Sequence, residues 1–221
     1  GIDYVRIEGD MGNETRTIKT GCVLDGVGRS IFCFSQIKQL LLMAEEGKIT
    51  SDDSIYFDDY WTAGMEALPY VFDLLGIHPQ MYAFLHAQSV DEYDFTAPMA
   101  FWMRNIEIGY AKALAGIFVC CPTLRDLVTH GGIAPIEKVH ITGHPFNSEE
   151  VLERMPAWYQ NALAHPGMDP MHPRINQVVY SSRWDQEKNP DFFLEVAEEV
   201  LRRRQDVRFV ICTGAPHIRS N

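Results

Sequence analysis

Val178-Val179-Tyr180-Ser181-Ser182-Arg183-Trp184-Asp185-Gln186-Glu187-Lys188-Asn189-Pro190-Asp191-Phe192-Phe193 is the stretch from which the fold is read. An apolar run from Gln177 to Tyr180 opens into a polar loop that carries Arg183 and Lys188. The loop closes on a helix start: Asn189 has the side chain of an N-cap, and Pro190 suits the first helical position. Phe193, Val196, Ala197, Val200 and Leu201 then recur at i, i+3, i+4, i+7 and i+8, one apolar helix face. Val207 to Cys212 reads as a second buried strand ending at Thr213-Gly214. Strand, cation-bearing loop, helix and strand make half of a doubly wound sheet. Such sheets bind ligands at the carboxyl ends of their strands.

Outward from this stretch the same alternation holds. Asp3 to Ile7 reads as a short first strand. Asp25-Gly26-Val27-Gly28-Arg29-Ser30 reads as a glycine loop leading into a helix from Ile31 to about Glu46, with Phe34, Ile37, Leu41 and Ala44 facing the core. Free N–H groups at a helix start suit a phosphate, although most Gly-x-Gly pairs are simply tight turns. Ser54 to Phe57 is a strand ending in Asp58-Asp59. Acids there cap the following helix, and Asp59 is a secondary candidate for facing an acceptor. Met81 to Gln88 is a strand with His86 at its end, where sheets of this class present ligand-facing groups; Asp91 follows in the loop. A long helix over 98–114 places Phe101, Trp102, Ile106 and Tyr110 on or near its buried side. Ala115 to Cys121 is a continuous apolar run of the kind found in doubly covered parallel strands. Thr123 caps a short helix to His130, and Val139 to Phe146 is the next strand, with His144 read first as hinge packing and second as lining a cleft. Ser148 caps a helix to about Ala164. The segment 165–173, with three prolines and a glycine, is the clearest linker.

Composition bounds the function classes. The chain has 221 residues, 46% hydrophobic and 22% charged, enough for a buried core. A formal charge of −11 argues against a general nucleic-acid coat, which gains affinity by neutralising phosphates. Five cysteines, Cys22, Cys33, Cys120, Cys121 and Cys212, form no CxxC pair and read as buried free thiols of a reducing compartment. No leader and no membrane span is evident, so the expected location is cytoplasmic.

The stretch around Arg183, Glu187, Lys188 and Asn189 resembles the opening of the C-terminal domain of GT-B glycosyltransferases of the retaining, family 4 type. The glycine loop and the strand-terminal His86 fall in the order seen in that family. The resemblance implies Rossmann-like parallel sheets in a GT-B arrangement, with residues 1–165 as the acceptor-side domain, 166–175 as linker, and 176–221 as the start of the donor-side domain. It implies transfer of a sugar from a nucleoside-diphosphate donor, with retention. Arg183 and Lys188 would take the diphosphate together with Gly26, Gly28 and Arg29, and His86 would touch the sugar. Asp59, Asp91 and His144 would lie on the acceptor side. A guanidinium fork and an ammonium neutralise a departing diphosphate, which is where such catalysis needs charge. No metal and no cofactor are expected, the nucleotide-sugar being a substrate.

The family's later acidic motif, a Glu, seven residues and another Glu, would fall after Asn221. A fragment, a split enzyme completed by a complementary chain, a homodimer, or a truncated module are therefore the expectations for a complete donor pocket. The acceptor is open between a glycan and a modified base in phage DNA. Two other classes compete: a non-catalytic nucleotide-binding module, and a metal-dependent transferase built on Asp58 and Asp59.

Overall fold

Four short apolar segments lie side by side in chain order, all parallel: β1 (Ser54–Phe57), β2 (Gln80–Leu85), β3 (Gly116–Val119) and β4 (Val139–Ile141). The computed structural model describes residues 3–10, 26–86, 89–92, 96–144, 147–157, 176–182, 184 and 188–212. Parallel neighbours need a crossover, and three helices supply it: α2 (Ala67–Leu75), α3 (Ala100–Ala113, entered through a 3₁₀ turn at Ala97–Met99) and α4 (Pro122–His130). A further helix, α1 (Gly26–Glu45), precedes β1. The chain is thus an α/β protein, Rossmann-like in general plan.

The two faces of this sheet differ. Phe57, Met81, Ala83, Leu85, Ile117, Val119 and Val139 share one face by register and pleat, and all join a single core cluster. Residues of all four helices meet them there, among them Ile37, Leu40, Leu68, Phe72, Tyr110, Ala111, Leu124 and Val128. The opposite face carries an aromatic ladder. Tyr82 and Phe118 stack at 5.7 Å, flanked by Tyr56 at 6.0 Å and His140 at 5.9 Å from Phe118. Tyr56 is 50% exposed, and His140 is exposed. The apolar run at β3 therefore does not mark a strand covered equally on both sides; aromatic neighbours shield Phe118 across the strands instead. Gly116 makes room for this, since a Cβ there would stand 3.1 Å from the Tyr82 ring and 3.2 Å from His140.

Several elements shift from their expected phase. Residues 3–10 form no strand. They run along α1, where Gln36 Nε2 donates to the Ile7 carbonyl (2.8 Å) and Gln39 Nε2 to that of Glu8 (2.7 Å). Gly9 passes so close to Phe32 that a Cβ would come within 2.5 Å of the ring. Helix α1 buries Cys33, Ile37, Leu40 and Ala44 and leaves Phe34 54% exposed. Helix α3 buries Met103, Glu107, Tyr110 and Ala111, while Phe101 is 82% exposed. Tyr110 lies on the buried side as expected, but Phe101, Trp102 and Ile106 are exposed, because the buried stripe contains a carboxylate. In α4 the N-cap position is held by Cys121, with Pro122 opening the helix, so Thr123 lies inside it.

The chain divides into two units, Gly1–His144 and Pro145–Asn221. The second holds α5 (Ser148–Arg154), β5 (Gln177–Tyr180), α6 (Pro190–Arg203) and β6 (Arg208–Ile211), with β5 and β6 parallel. Asn147, not Ser148, caps α5 by accepting from the Glu150 N–H at 3.2 Å, and the helix stops before Pro156. Asn189 and Pro190 begin α6 as expected: the Asn189 side chain accepts from the Phe192 N–H at 3.4 Å, and Pro190 is buried. Of the expected apolar face of α6, Ala197 is buried and Phe193 partly so, whereas Val196 and Leu201 are exposed. The linker at 166–175 lies outside the described residues. Among the described residues no helix is long and apolar enough to cross a membrane.

Candidate functional site

The carboxyl edge of the first unit's sheet is where its chemistry collects. The Leu85–Val119–Ile141 row is the last paired one across β2, β3 and β4. One step beyond it stand His86 after β2, Cys120 after β3 and Thr142 after β4, the last donating its N–H to the Val119 carbonyl at 3.0 Å. His144 then folds back over the edge. Its ring stacks on His86 at 5.9 Å and 13°, and on Phe84 at 5.5 Å and 30°. Phe84 also meets His86 at 4.9 Å. Both histidines are exposed and Phe84 is buried, so a core ring forms the floor beneath two solvent-facing imidazoles.

The loop after β1 joins this edge. Tyr60 donates its N–H to the Phe84 carbonyl at 2.8 Å, and its hydroxyl to the carbonyl of Glu107. Burial, then the Glu107 charge, push the Tyr60 hydroxyl well above the ordinary tyrosine range, which leaves it a fixed donor. Asp59 is fully engaged: one carboxylate oxygen accepts from the Trp61 N–H at 2.8 Å and the other pairs with Arg29. Arg29 also donates to the Trp61 carbonyl at 3.2 Å. Asp59 therefore braces its own turn; α2 begins only at Ala67. Gly26 and Gly28 are helical, inside the first turns of α1, and Gly28 is buried. The expected glycine loop is thus helix, which Gly tolerates at a modest cost. The Arg29–Asp59 pair nevertheless fixes that end of α1 beside the β1 loop. Among the described residues no group of three His, Cys, Asp or Glu is placed to hold a metal ion.

Glu107 is the residue that periodicity overlooked. Its side chain is fully buried on α3. It accepts from Trp61 Nε1 at 3.0 Å, from the Ser89 N–H at 3.3 Å, and from the Ser89 hydroxyl. It thereby ties the loop that leaves β2, three residues past His86, to the loop that leaves β1. The lone charge between Ile106 and Ile108 was the only signal for it in the sequence. Asp91 is part-buried in the same β2 loop.

In the second unit Lys188 and Trp184, both in the loop between β5 and α6, meet Tyr180, the last residue of β5. The Tyr180 hydroxyl donates to the Lys188 carbonyl at 3.1 Å, and the Trp184 ring meets Tyr180 edge-on at 5.0 Å. Lys188 is exposed at the end of this loop, one residue before the Asn189 cap. Arg183 and Glu187 lie outside the described residues. In the first unit the structure stacks His86 on His144 and, separately, pairs Arg29 with Asp59; Lys188 lies in the second unit. Comparison with protein-family models and with curated proteins found no match to this chain.

Proposed function

We propose that this chain belongs to a sugar transferase of the GT-B type, moving a glycosyl group from a nucleoside-diphosphate donor to an acceptor with retention. The observation that carries the reading is the stacked His86–His144 pair on Phe84, at the carboxyl edge of a parallel sheet. Flat aromatic and imidazole surfaces with hydrogen-bonding edges suit a sugar ring. Lys188 at the head of α6, with Arg183 nearby in sequence, suits the departing diphosphate. In this reading His86 orients the sugar and His144 holds the His86 ring. Asp91 lines the acceptor side, and Arg29 adds charge only where Asp59 releases it. Catalysis rests on positioning both substrates and neutralising the leaving group, without a protein nucleophile. The acceptor is a glycan or a modified DNA base.

The test is a transfer assay with a panel of nucleoside-diphosphate sugars against both acceptor types. Lys188→Ala is expected to lower turnover by about 100-fold, the scale for losing one donor to a developing anion. Undiminished turnover in both Lys188→Ala and His86→Ala would remove the assignment. Nucleotide binding without transfer or donor hydrolysis would favour a non-catalytic binding module. A steep fall of acceptor affinity with salt would favour DNA over a glycan.

A further inference from the structure

Cys120 and Cys121 stand side by side where β3 ends and α4 begins, and sugar transfer gives them no task. Both are part-exposed and free, whereas Cys33 is buried in α1. The expectation of uniformly buried thiols therefore fails at this pair and at the exposed Cys212. They are sequence neighbours on either side of the β3–α4 junction, Cys120 after the strand and Cys121 at the helix head. Cys121 holds the N-cap position of α4, a helix of nine residues, in extended geometry (φ −153°, ψ 163°). No capping hydrogen bond of ordinary geometry forms there. The field of the Leu124 backbone N–H is nonetheless the largest cause holding the Cys121 thiol below its usual range, followed by the Cys120 thiol. Cys120 is moved the opposite way, first by burial and then by the neighbouring Cys121 thiol. A place at the head of a helix, where backbone N–H groups point outward, favours a thiolate at Cys121 and makes Cys120 its partner.

We propose that Cys120–Cys121 is a peroxide-responsive dithiol in which Cys121 reacts first and Cys120 resolves it to a reversible vicinal disulfide. The inference is independent of the glycosyl-transfer reading. In the first step the Cys121 thiolate attacks one oxygen of hydrogen peroxide. An S–O bond forms, the O–O bond breaks, and hydroxide departs, leaving a sulfenic acid. In the second step the Cys120 sulfur attacks the Cys121 sulfur; the S–S bond forms, the S–O bond breaks, and the Cys120 proton leaves with the hydroxyl as water. Two electrons pass from the sulfurs to the peroxide.

The geometry also explains reversibility. Adjacent Cα atoms sit about 3.8 Å apart across a trans peptide, below the usual disulfide span of about 4.4–6.8 Å. A bridge between neighbours is consequently strained, and strained disulfides are the readily reduced, regulatory ones. Closing it draws Cys121 off the head of α4, one residue past Cys120, which stands in the row that also carries His86.

The experiment compares thiols within the intact chain, with exposed Cys212 as internal reference. Under brief iodoacetamide labelling at neutral pH, Cys121 is expected to react about tenfold faster than Cys212. Stoichiometric hydrogen peroxide should then give a product lighter by two hydrogens, confined to the peptide holding Cys120 and Cys121 and restored by dithiothreitol. Cys120→Ser should stop at a sulfenic acid that dimedone traps, and Cys121→Ser should lose the fast reaction. Labelling of Cys121 no faster than Cys212 overturns the proposal. So does a disulfide joining either residue to another cysteine, or loss of two hydrogens in Cys120→Ser.

Discussion

Glu107 shows how much one side chain can hold at this edge. Its carboxylate is fully buried and accepts three hydrogen bonds, from Trp61 Nε1 and from the Ser89 N–H and hydroxyl. Removing it leaves those part-buried donors without partners, and an orphaned donor shielded from water costs more than the bond itself contributes. Glu107→Ala should therefore lower stability by about 2–3 kcal/mol, read as a lower urea midpoint at unchanged slope. Glu107→Gln keeps an acceptor for Trp61 and the Ser89 N–H, and its new amide donates to the Ser89 oxygen. It should cost about 1 kcal/mol. Equal losses in the two variants would show that the site responds to volume, not to hydrogen bonding. Sequence periodicity reads a charge as outward-facing, which is why it offers Phe101, Trp102, Ile106 and Tyr110 as the buried side of α3. Tyr110 is buried and the other three are exposed, and Glu107 completes the true stripe. His144 was legible as a candidate but its partner was not: meeting His86 depends on the β2–β3–β4 register, which no local pattern encodes.

At the scale of elements, the α6 start was readable because its signals are local. Asn189 and Pro190 act within one turn, so tertiary context had little to override. The structure adds that Asn189 is left-handed (φ 51°, ψ 55°), a conformation asparagine tolerates and alanine resists. Asn189→Ala loses both the cap and that tolerance and should cost about 1–2 kcal/mol; Asn189→Gly keeps the backbone freedom and should cost clearly less. Equal costs would assign the whole effect to the cap. The entry to β6 is held differently. Asp206 accepts two bonds from Arg204 (3.0 and 2.6 Å) and one from Asn176 Nδ2 (2.7 Å), and the Arg208 N–H donates to the Asn176 carbonyl at 2.7 Å. The Arg204 hydrogen bonds, first among the causes, hold the Asp206 carboxyl down at about 2, against 3.8 for an unperturbed one. A depressed folded-state value means its stabilisation is complete above 3.8 and fades as pH falls through about 2. Because the group is exposed, the effect is small. Asp206→Asn should lower the second unit's stability slightly near neutrality and flatten its acid limb, the difference from the unsubstituted chain vanishing as pH falls through about 2. An unaltered acid limb would remove Asp206 as its cause.

At the scale of the molecule, burial is divided unevenly between the two units. The main core cluster runs from Ile37 to Val139, wholly inside the first unit, and draws on four strands and four helices. Among the described residues of the second unit, the buried apolar side chains are Tyr180, Trp184, Pro190 and Ala197. Val178, Val179 and Ile211 on its two strands are 40–46% exposed. Apolar burial is the dominant favourable term in folding, so the second unit should open at a lower urea concentration than the first. Trp61 and Trp184 place a fluorophore in each unit, and chains keeping only one of these tryptophans, the others replaced by Phe, report on them separately. The Trp184 transition is expected first, with the smaller dependence on denaturant, because less surface becomes exposed. It should also be the transition that Asn189→Ala and Asp206→Asn move, while Glu107→Ala moves only that of Trp61. Coincident transitions, displaced together by all three substitutions, would mean that the chain unfolds as one cooperative body. The division of stability argued from burial would then be wrong.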